Sequence, residues 1–247
     1  MLFNQTLEKL HSLRLHGMVR ALQEQVEQGT ASGLSFEERL GLVVDREYLL
    51  RDEKRITTRL KKAKLKQVVC VEDIDYRHHR GLDKGTMLDL CSCRWIHAKR
   101  NLIITGATGL GKTWLACALA NKACREGFTS TYRRVPRLVH ELAVARADGS
   151  YLKLLAQIAR TDLVVLDDWG LAPLEGPAQH DILELIDDRA GLRSTLITSQ
   201  LPVARWHDTI GDPSIADALL DRVLATSTTI DLKGESLRKE RKDKPQE

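Results

Sequence analysis

Little in this chain points to a membrane, an exported protein or a base-stacking surface. No apolar run approaches the roughly 18 residues of a membrane span, so no transmembrane helix is expected. The opening M-L-F-N-Q-T-L-E-K-L-H lacks a basic flank followed by an apolar core. A secretory signal is therefore not expected, and a cytoplasmic location is. Aromatic residues make up only 4% of the chain, which argues against a stacking platform for single-stranded nucleic acid. The five cysteines, Cys70, Cys91, Cys93, Cys117 and Cys124, are an odd set without zinc-finger spacing. They read as reduced thiols rather than disulfides or metal ligands. The adjacent His78 and His79 read as surface polar residues. There is no internal repeat and no low-complexity tract.

The 247 residues allow one large domain, or one domain with a small appendage. Hydrophobic residues at 43% and charged residues at 29% fit a globular chain. The net charge of +4 is mild, but its distribution is not even. Between Arg51 and Lys66, eight Lys or Arg face two acids, Asp52 and Glu53, a local net of +6. Such a run can attract nucleic acid phosphates, or it can be a solvated helix face or a contact for an acidic partner.

The pattern divides the chain at about residue 66. In residues 1–66, Phe3, Leu7, Leu10, Met18, Leu22 and Val26 recur near helical spacing. Ser35 opens S-F-E-E, a capping box with Glu38, and the helix behind it can continue through Tyr48 and Leu49 into the basic run. This is a small α-helical N-terminal domain with no catalytic signature. Residues 67–100 read as transitional, with 71–85 a surface connection into the second domain, 67–247. From residue 101, strands expected at 101–105, 129–133, 163–167, 194–199 and 228–232 alternate with helices. One helix starts at Lys112, a second follows Pro136 and a third holds Ile182, Leu183, Leu185 and Ile186. Repeated βα units predict an α/β fold with a parallel sheet covered on both faces.

Two motifs carry chemistry. Residues 106–113 read G-A-T-G-L-G-K-T, a P-loop, directly after an apolar strand and before a helical pattern. Gly106, Gly109 and Gly111 let the backbone turn tightly around phosphates, with Ala107, Thr108 and Leu110 between them. Lys112 can reach the β- and γ-phosphates of ATP, and Thr113 can place its hydroxyl on Mg2+. Trp114 is bulky for its position and is expected to pack under the loop. The second motif, L-V-V-L-D-D at 163–168, is a buried strand ending in two acids where open α/β sheets bind ligands. Asp167 would hold the metal, and Asp168 would polarise the attacking water. The strand at 194–199 ends in Thr198, Ser199 and Gln200, where a polar group can bridge phosphate and water. Arg222 sits on an apolar helix, where pairing with Asp217 or Asp221 and contact with a neighbouring subunit's nucleotide are both open. Arg238 is similar.

The P-loop, L-V-V-L-D-D-W-G-L-A-P-L, L-I-T-S-Q-L-P, H-D-T-I-G-D-P-S-I-A-D-A-L-L-D-R and the closing L-K-G-E-S-L-R-K together resemble the IstB family. Its members are helper ATPases of a class of bacterial insertion sequences, AAA+ proteins related to the helicase loaders DnaC and DnaI. The resemblance covers nearly the whole chain. It implies that Arg222 is an arginine finger acting across a subunit interface and Arg238 a second-sensor arginine. It puts Ser199 and Gln200 in the first-sensor region. Many AAA+ proteins have glutamate where this chain has Asp168, so modest hydrolysis is expected. The implied function is ATP-dependent homo-oligomeric assembly on double-stranded DNA, without sequence preference, in aid of a transposase.

Two other readings stay open on the sequence. A DnaC-like helicase loader would share the ATPase core and act in DNA replication. A small-molecule kinase would share the P-loop but need an acceptor pocket, which residues 135–160 do not obviously supply.

Overall fold

A computed structural model describes residues 2–28, 33–76 and 81–237. The expectations for His78, His79 and Arg238 fall outside these residues. The chain divides into two compact units, Met1–Thr58 and Arg59–Glu247.

The first unit is helical, with α1 (Leu2–Ser12), α2 (His16–Gln28) and the larger part of α3 (Phe36–Ala63). The capping box at the head of α3 forms as its sequence predicts. Ser35 N–H donates to Glu38 Oε2 at 2.7 Å, and Glu38 N–H donates to Ser35 Oγ at 3.2 Å. Glu47, on α3, caps the start of α2 by accepting from the backbone N–H groups of Gly17 at 2.6 Å and Met18 at 3.3 Å. Arg51 donates to the other Glu47 oxygen at 2.7 Å, and these bonds hold its carboxyl below the usual range against the opposing effect of burial.

In the second unit come α4 (Lys84–Cys91), α5 (Arg94–His97), β1 (Asn101–Gly106), α6 (Lys112–Arg125), β2 (Ser130–Arg134), α7 (Val135–Asp148), α8 (Tyr151–Ala159), β3 (Leu163–Trp169), α9 (Pro177–Asp187), β4 (Ser194–Ser199), α10 (Pro213–Leu224) and β5 (Ser227–Leu232). The strands form one parallel sheet in the order β2-β3-β4-β1-β5. Alternate residues of the inner strands face opposite ways, as strand geometry requires. Ile103, Val164, Leu166 and Ile197 pack with α7 to α10, including Leu138, Leu142, Leu185 and Leu219. Leu102, Ile104, Leu163, Val165 and Leu196 pack with α4 to α6, including Met87, Leu90, Leu115 and Leu119. The inner strands β3, β4 and β1 are buried on both faces, so they read as largely apolar runs, while the edge strands β2 and β5 are more polar and partly exposed.

The stretch at 67–100 is more structured than a transitional segment. Met87, Leu90, Trp95 and Ile96 of α4 and α5 are core residues, and Ile74 is buried. Trp95 Nε1 donates to the Leu90 carbonyl at 3.1 Å, which turns the two short helices together. Helices of eight and four residues leave too few repeats for a helical period to be read from sequence.

Candidate nucleotide-binding site

The loop between β1 and α6 is shaped for close backbone approach. Gly106 has φ +137° and Gly109 φ +91°, backbone regions that favour glycine. A Cβ on Gly106 would run into the Leu232 carbonyl, and one on Gly109 into Ser236. The Leu237 N–H donates to the Gly109 carbonyl at 3.1 Å, so the chain after β5 lies along this loop. Leu110 is 1% exposed and anchors the loop from inside. Lys112 Nζ donates back to the carbonyls of Gly106 at 2.6 Å and Ala107 at 2.9 Å. Its ammonium thus already lies over the loop, at the N-terminal end of α6 where the helix dipole favours anions. Trp114 is half-buried and packs on the α4–α6 side of the core.

The two acids end β3 in different environments. Asp167 is fully buried. Thr113 Oγ1 donates to its Oδ1 at 2.9 Å, and Tyr132 OH donates to its Oδ2 at 2.5 Å. Thr198 Oγ1 also donates to Oδ1, and Lys66 Nζ lies 3.8 Å from Oδ2. Burial, then the Asp167 hydrogen bond, pushes the Tyr132 phenol up, so it stays a donor. The pairing of β3 with β4 slips between Leu166 and Trp169, and Asp168 takes φ +62°. This bulge re-aims Asp168, as bulges beside sites do. Its carboxylate meets Arg134 Nε at 2.5 Å, and its N–H donates to Thr198 Oγ1 at 3.3 Å.

Thr198 therefore touches both acids. Ser199, one residue on and fully buried, instead donates to the Trp169 carbonyl at 2.8 Å. Gln200 Oε1 accepts from Thr108 Oγ1 at 2.8 Å, which ties the end of β4 to the P-loop. Lys66, Tyr132 and Arg134 were not among the residues expected from sequence. Tyr132 and Arg134 come from a segment with no motif of its own, and Lys66 closes the basic run, which pointed to phosphates of nucleic acid rather than to this site.

Arg222 is elsewhere. It pairs with Asp187 and donates to the Ala218 carbonyl at 2.9 Å. The next residue, Val223, accepts from Asn101 at 3.0 Å, and Asn101 opens β1. The P-loop begins at the other end of that strand, roughly 17 Å away at strand rise. Arg222 is thus held far from its own chain's phosphate loop.

The donors at Thr113 and Asp167 suit magnesium. A hydroxyl and a carboxylate stand together at the base of a phosphate loop, both hard oxygens, and magnesium takes few protein ligands alongside phosphate and water. Among the described residues, no cluster of three or more His, Cys, Asp or Glu could hold a metal by itself.

Residues 8–245 match the family of IstB-like ATP binding proteins. The chain belongs to the IstB-like ATP-binding family. An insertion sequence ATP-binding protein of Sinorhizobium fredii, y4pL, is 48% identical over 99% of this chain and 100% of its own length. The ATP-binding protein of insertion sequence IS1162 from Pseudomonas fluorescens is 53% identical over 82% of this chain and 88% of its own. Among solved structures, DnaI shares the fold with a TM-score of 0.57 and 19% identity, covering 68% of this chain and 89% of that one. AMPPCP-bound DnaA from Aquifex aeolicus does so with a TM-score of 0.58 and 17% identity, covering 72% and 56%. This IstB-like chain therefore shares the fold of DnaI and DnaA, with a five-stranded parallel sheet that carries the P-loop, preceded by a helical region. No helix among its described residues is long and apolar enough to cross a membrane.

Proposed function

We propose that this IstB-like protein hydrolyses ATP with magnesium, assembles on double-stranded DNA while ATP is bound, and assists a transposase. The observation that carries the nucleotide chemistry is the Thr113 hydroxyl set against the buried Asp167 carboxylate, directly behind a loop lined by Lys112. On this reading Lys112 leaves the loop carbonyls for the β- and γ-phosphates. Thr113 and Asp167 hold the magnesium, which when bound neutralises charge developing on the phosphates. Asp168 orients water. It must first part from Arg134, and as an aspartate it has short reach, so turnover is modest. Thr198 and Gln200 link that end of β4 to the acids and the loop; Ser199 keeps the neighbouring backbone in place. For Arg238, outside the described residues, the family resemblance alone implies contact with the nucleotide of its own chain.

Arg222 serves a neighbouring subunit. Its separation from the P-loop of its own chain supports this, because a guanidinium so placed cannot reach that nucleotide. ATP at a subunit interface would then join protomers into an oligomer. Residues 1–66 are assigned to DNA or partner contact and 67–247 to the ATPase. Weak contacts of the Arg51 to Lys66 run with DNA phosphates would multiply through avidity. The names of the relatives place their proteins in insertion sequences, which favours a transposase over a replicative helicase as the partner. The likeness to DnaI, at 19% identity, speaks to the fold alone.

The test is binding of the purified protein to a random-sequence duplex, with and without ATP and magnesium, while particle size is followed. Binding with growth in size is expected only with ATP, and it should weaken steeply with salt. Absence of DNA binding in every condition would remove DNA assembly and leave an ATPase acting through a protein partner.

A further inference from the structure

The last residue of the basic run reaches the metal-binding carboxylate. Lys66 Nζ lies 3.8 Å from Asp167 Oδ2. The approach is built into the chain. At the end of α3 the backbone turns at Lys64, with φ +49°. Leu65 then packs on the α4–α6 side of the core. The backbone N–H groups of Lys66 and Gln67 face the sulfur of Cys117, one turn beyond Thr113 on α6. The segment is thus laid across the P-loop helix, and the lysine stem runs from it to Asp167.

The two oxygens of Asp167 are divided. Oδ1 accepts from the hydroxyls of Thr113 and Thr198; Oδ2 accepts from Tyr132, with a longer Thr113 contact of 3.1 Å, and faces the Lys66 ammonium as an ion pair. Tyr132 is neutral and orients the carboxylate. Lys66 does something different, because it brings charge. A carboxylate with no exposed surface is costly without a cation nearby.

We propose that Lys66 is a resident counter-ion of Asp167 that competes with the divalent cation for this carboxylate, and so sets how much magnesium the nucleotide site needs. This rests on the reading of Thr113 and Asp167 as the metal-holding pair. A divalent cation at that pair brings two positive charges to the carboxylate that Lys66 already partly neutralises, and like charges around one group oppose each other. The Lys66 side chain is 45% exposed, and its flexible stem lets it move into water when the metal enters. By linkage the effect is reciprocal: an anion that engages Lys66 favours metal binding at Asp167.

The experiment measures binding of a fluorescent ATP analogue while magnesium is titrated, and reads the half-saturating magnesium concentration. Wild type, Lys66→Met, Lys66→Arg and Tyr132→Phe are compared, with Lys112→Ala as the control for the P-loop. Far-UV circular dichroism checks the fold of each. Lys66→Met should need less magnesium than wild type, by roughly two- to fivefold, the size expected of a half-exposed ion pair. Lys66→Arg keeps the charge and should stay near wild type. Tyr132→Phe loses orientation without losing charge and should need more. A Lys66→Met protein that needs as much magnesium as wild type, or more, overturns the proposal, as does a Lys66→Arg protein that behaves like Lys66→Met. Should Lys66→Met not fold, Lys66→Gln carries the same expectation and the same overturning result. Failure of the underlying reading looks different: Thr113→Ala would then leave the magnesium requirement of analogue binding unchanged.

Discussion

Asp167 at the carboxyl end of the sheet and Arg189 at its amino end are both buried ions, 0% and 1% exposed, and their partners differ in kind. Four of the five acceptors of Arg189 are main-chain carbonyls. Nη1 donates to Ile158 at 3.1 Å, Ala159 at 3.0 Å and Thr161 at 2.7 Å, and Nη2 to Ser194; Nε donates to Thr195 Oγ1 at 3.1 Å. Burial, then the neighbouring Arg193, pulls its pKa down to about 9, which leaves it charged at neutral pH. Among the described residues, Asp167 instead meets side chains: two threonines and a tyrosine donate to it, and the Lys66 ammonium lies nearby. Main-chain acceptors cannot leave without unfolding something. Side-chain donors can rotate away and make room for a ligand. Equal burial of charge therefore marks a structural clamp at one end and an exchangeable site at the other.

The comparison breaks most visibly at the clamp. Arg189→Met leaves the carbonyls at the end of α8 and the start of β4 without a donor. It should lower stability by roughly 3–5 kcal/mol in urea unfolding, with sparse soluble protein as the practical sign. A loss below about 1 kcal/mol would mean that water satisfies those carbonyls, and the distinction between the two ends would lose its basis.

At the other end the fold should tolerate change while ligand binding does not. Lys112→Ala removes the ammonium over the phosphate loop and should weaken ATP binding by at least about 100-fold, measured by equilibrium titration, with little change in the urea midpoint. Unchanged ATP affinity would rule out the P-loop assignment. Arg222 sharpens the point from the clamp's side of the molecule, since it lies near the amino end yet is assigned to catalysis. Arg222→Ala should keep ATP binding and lose turnover by about 10- to 1000-fold. Mixing it with Asp168→Asn protein should restore part of the activity, because hybrid interfaces pair one intact arginine with one intact acid. No recovery at any mixing ratio would confine Arg222 to its pair with Asp187.

How much of this was legible in sequence follows from the same difference. The three inner strands were, because burial on both faces writes them as apolar runs, while the edge strands β2 and β5 showed through β-branched residues and their place between helices. The glycine-rich turn after β1 and the place of Asp167 at the end of a buried strand were, because both are written in short local patterns. Arg189 was not: its acceptors are brought together from the end of α8, the turn after it and the start of β4, and no local pattern announces them. Tyr132 and Lys66 were missed for the same reason, since only strand order and the path after α3 bring them to Asp167. At the end of β4, sequence left three polar residues in a row. Alternation decides among them, with Thr198 turned to the acids and Ser199 into the backbone of Trp169, and the bulge in β3 hides that phase from a sequence pattern.

Arg134 gives the finest test, because its hold on Asp168 is a half-exposed ion pair. Arg134 is 47% exposed and Asp168 18%, so solvent screens the pair and its strength is limited. The left-handed backbone at Asp168 is tolerable for aspartate and does not depend on the arginine. Without Arg134 the carboxylate should keep its place and turn to water more of the time. Arg134→Ala is therefore expected to raise ATP turnover in the absence of DNA by roughly two- to fivefold, with Arg134→Lys in between. Turnover that falls instead would put Arg134 on the nucleotide side of the reaction. The restraint on Asp168 would then have to act on its backbone, through the Thr198 hydroxyl that accepts its N–H and through the bulge.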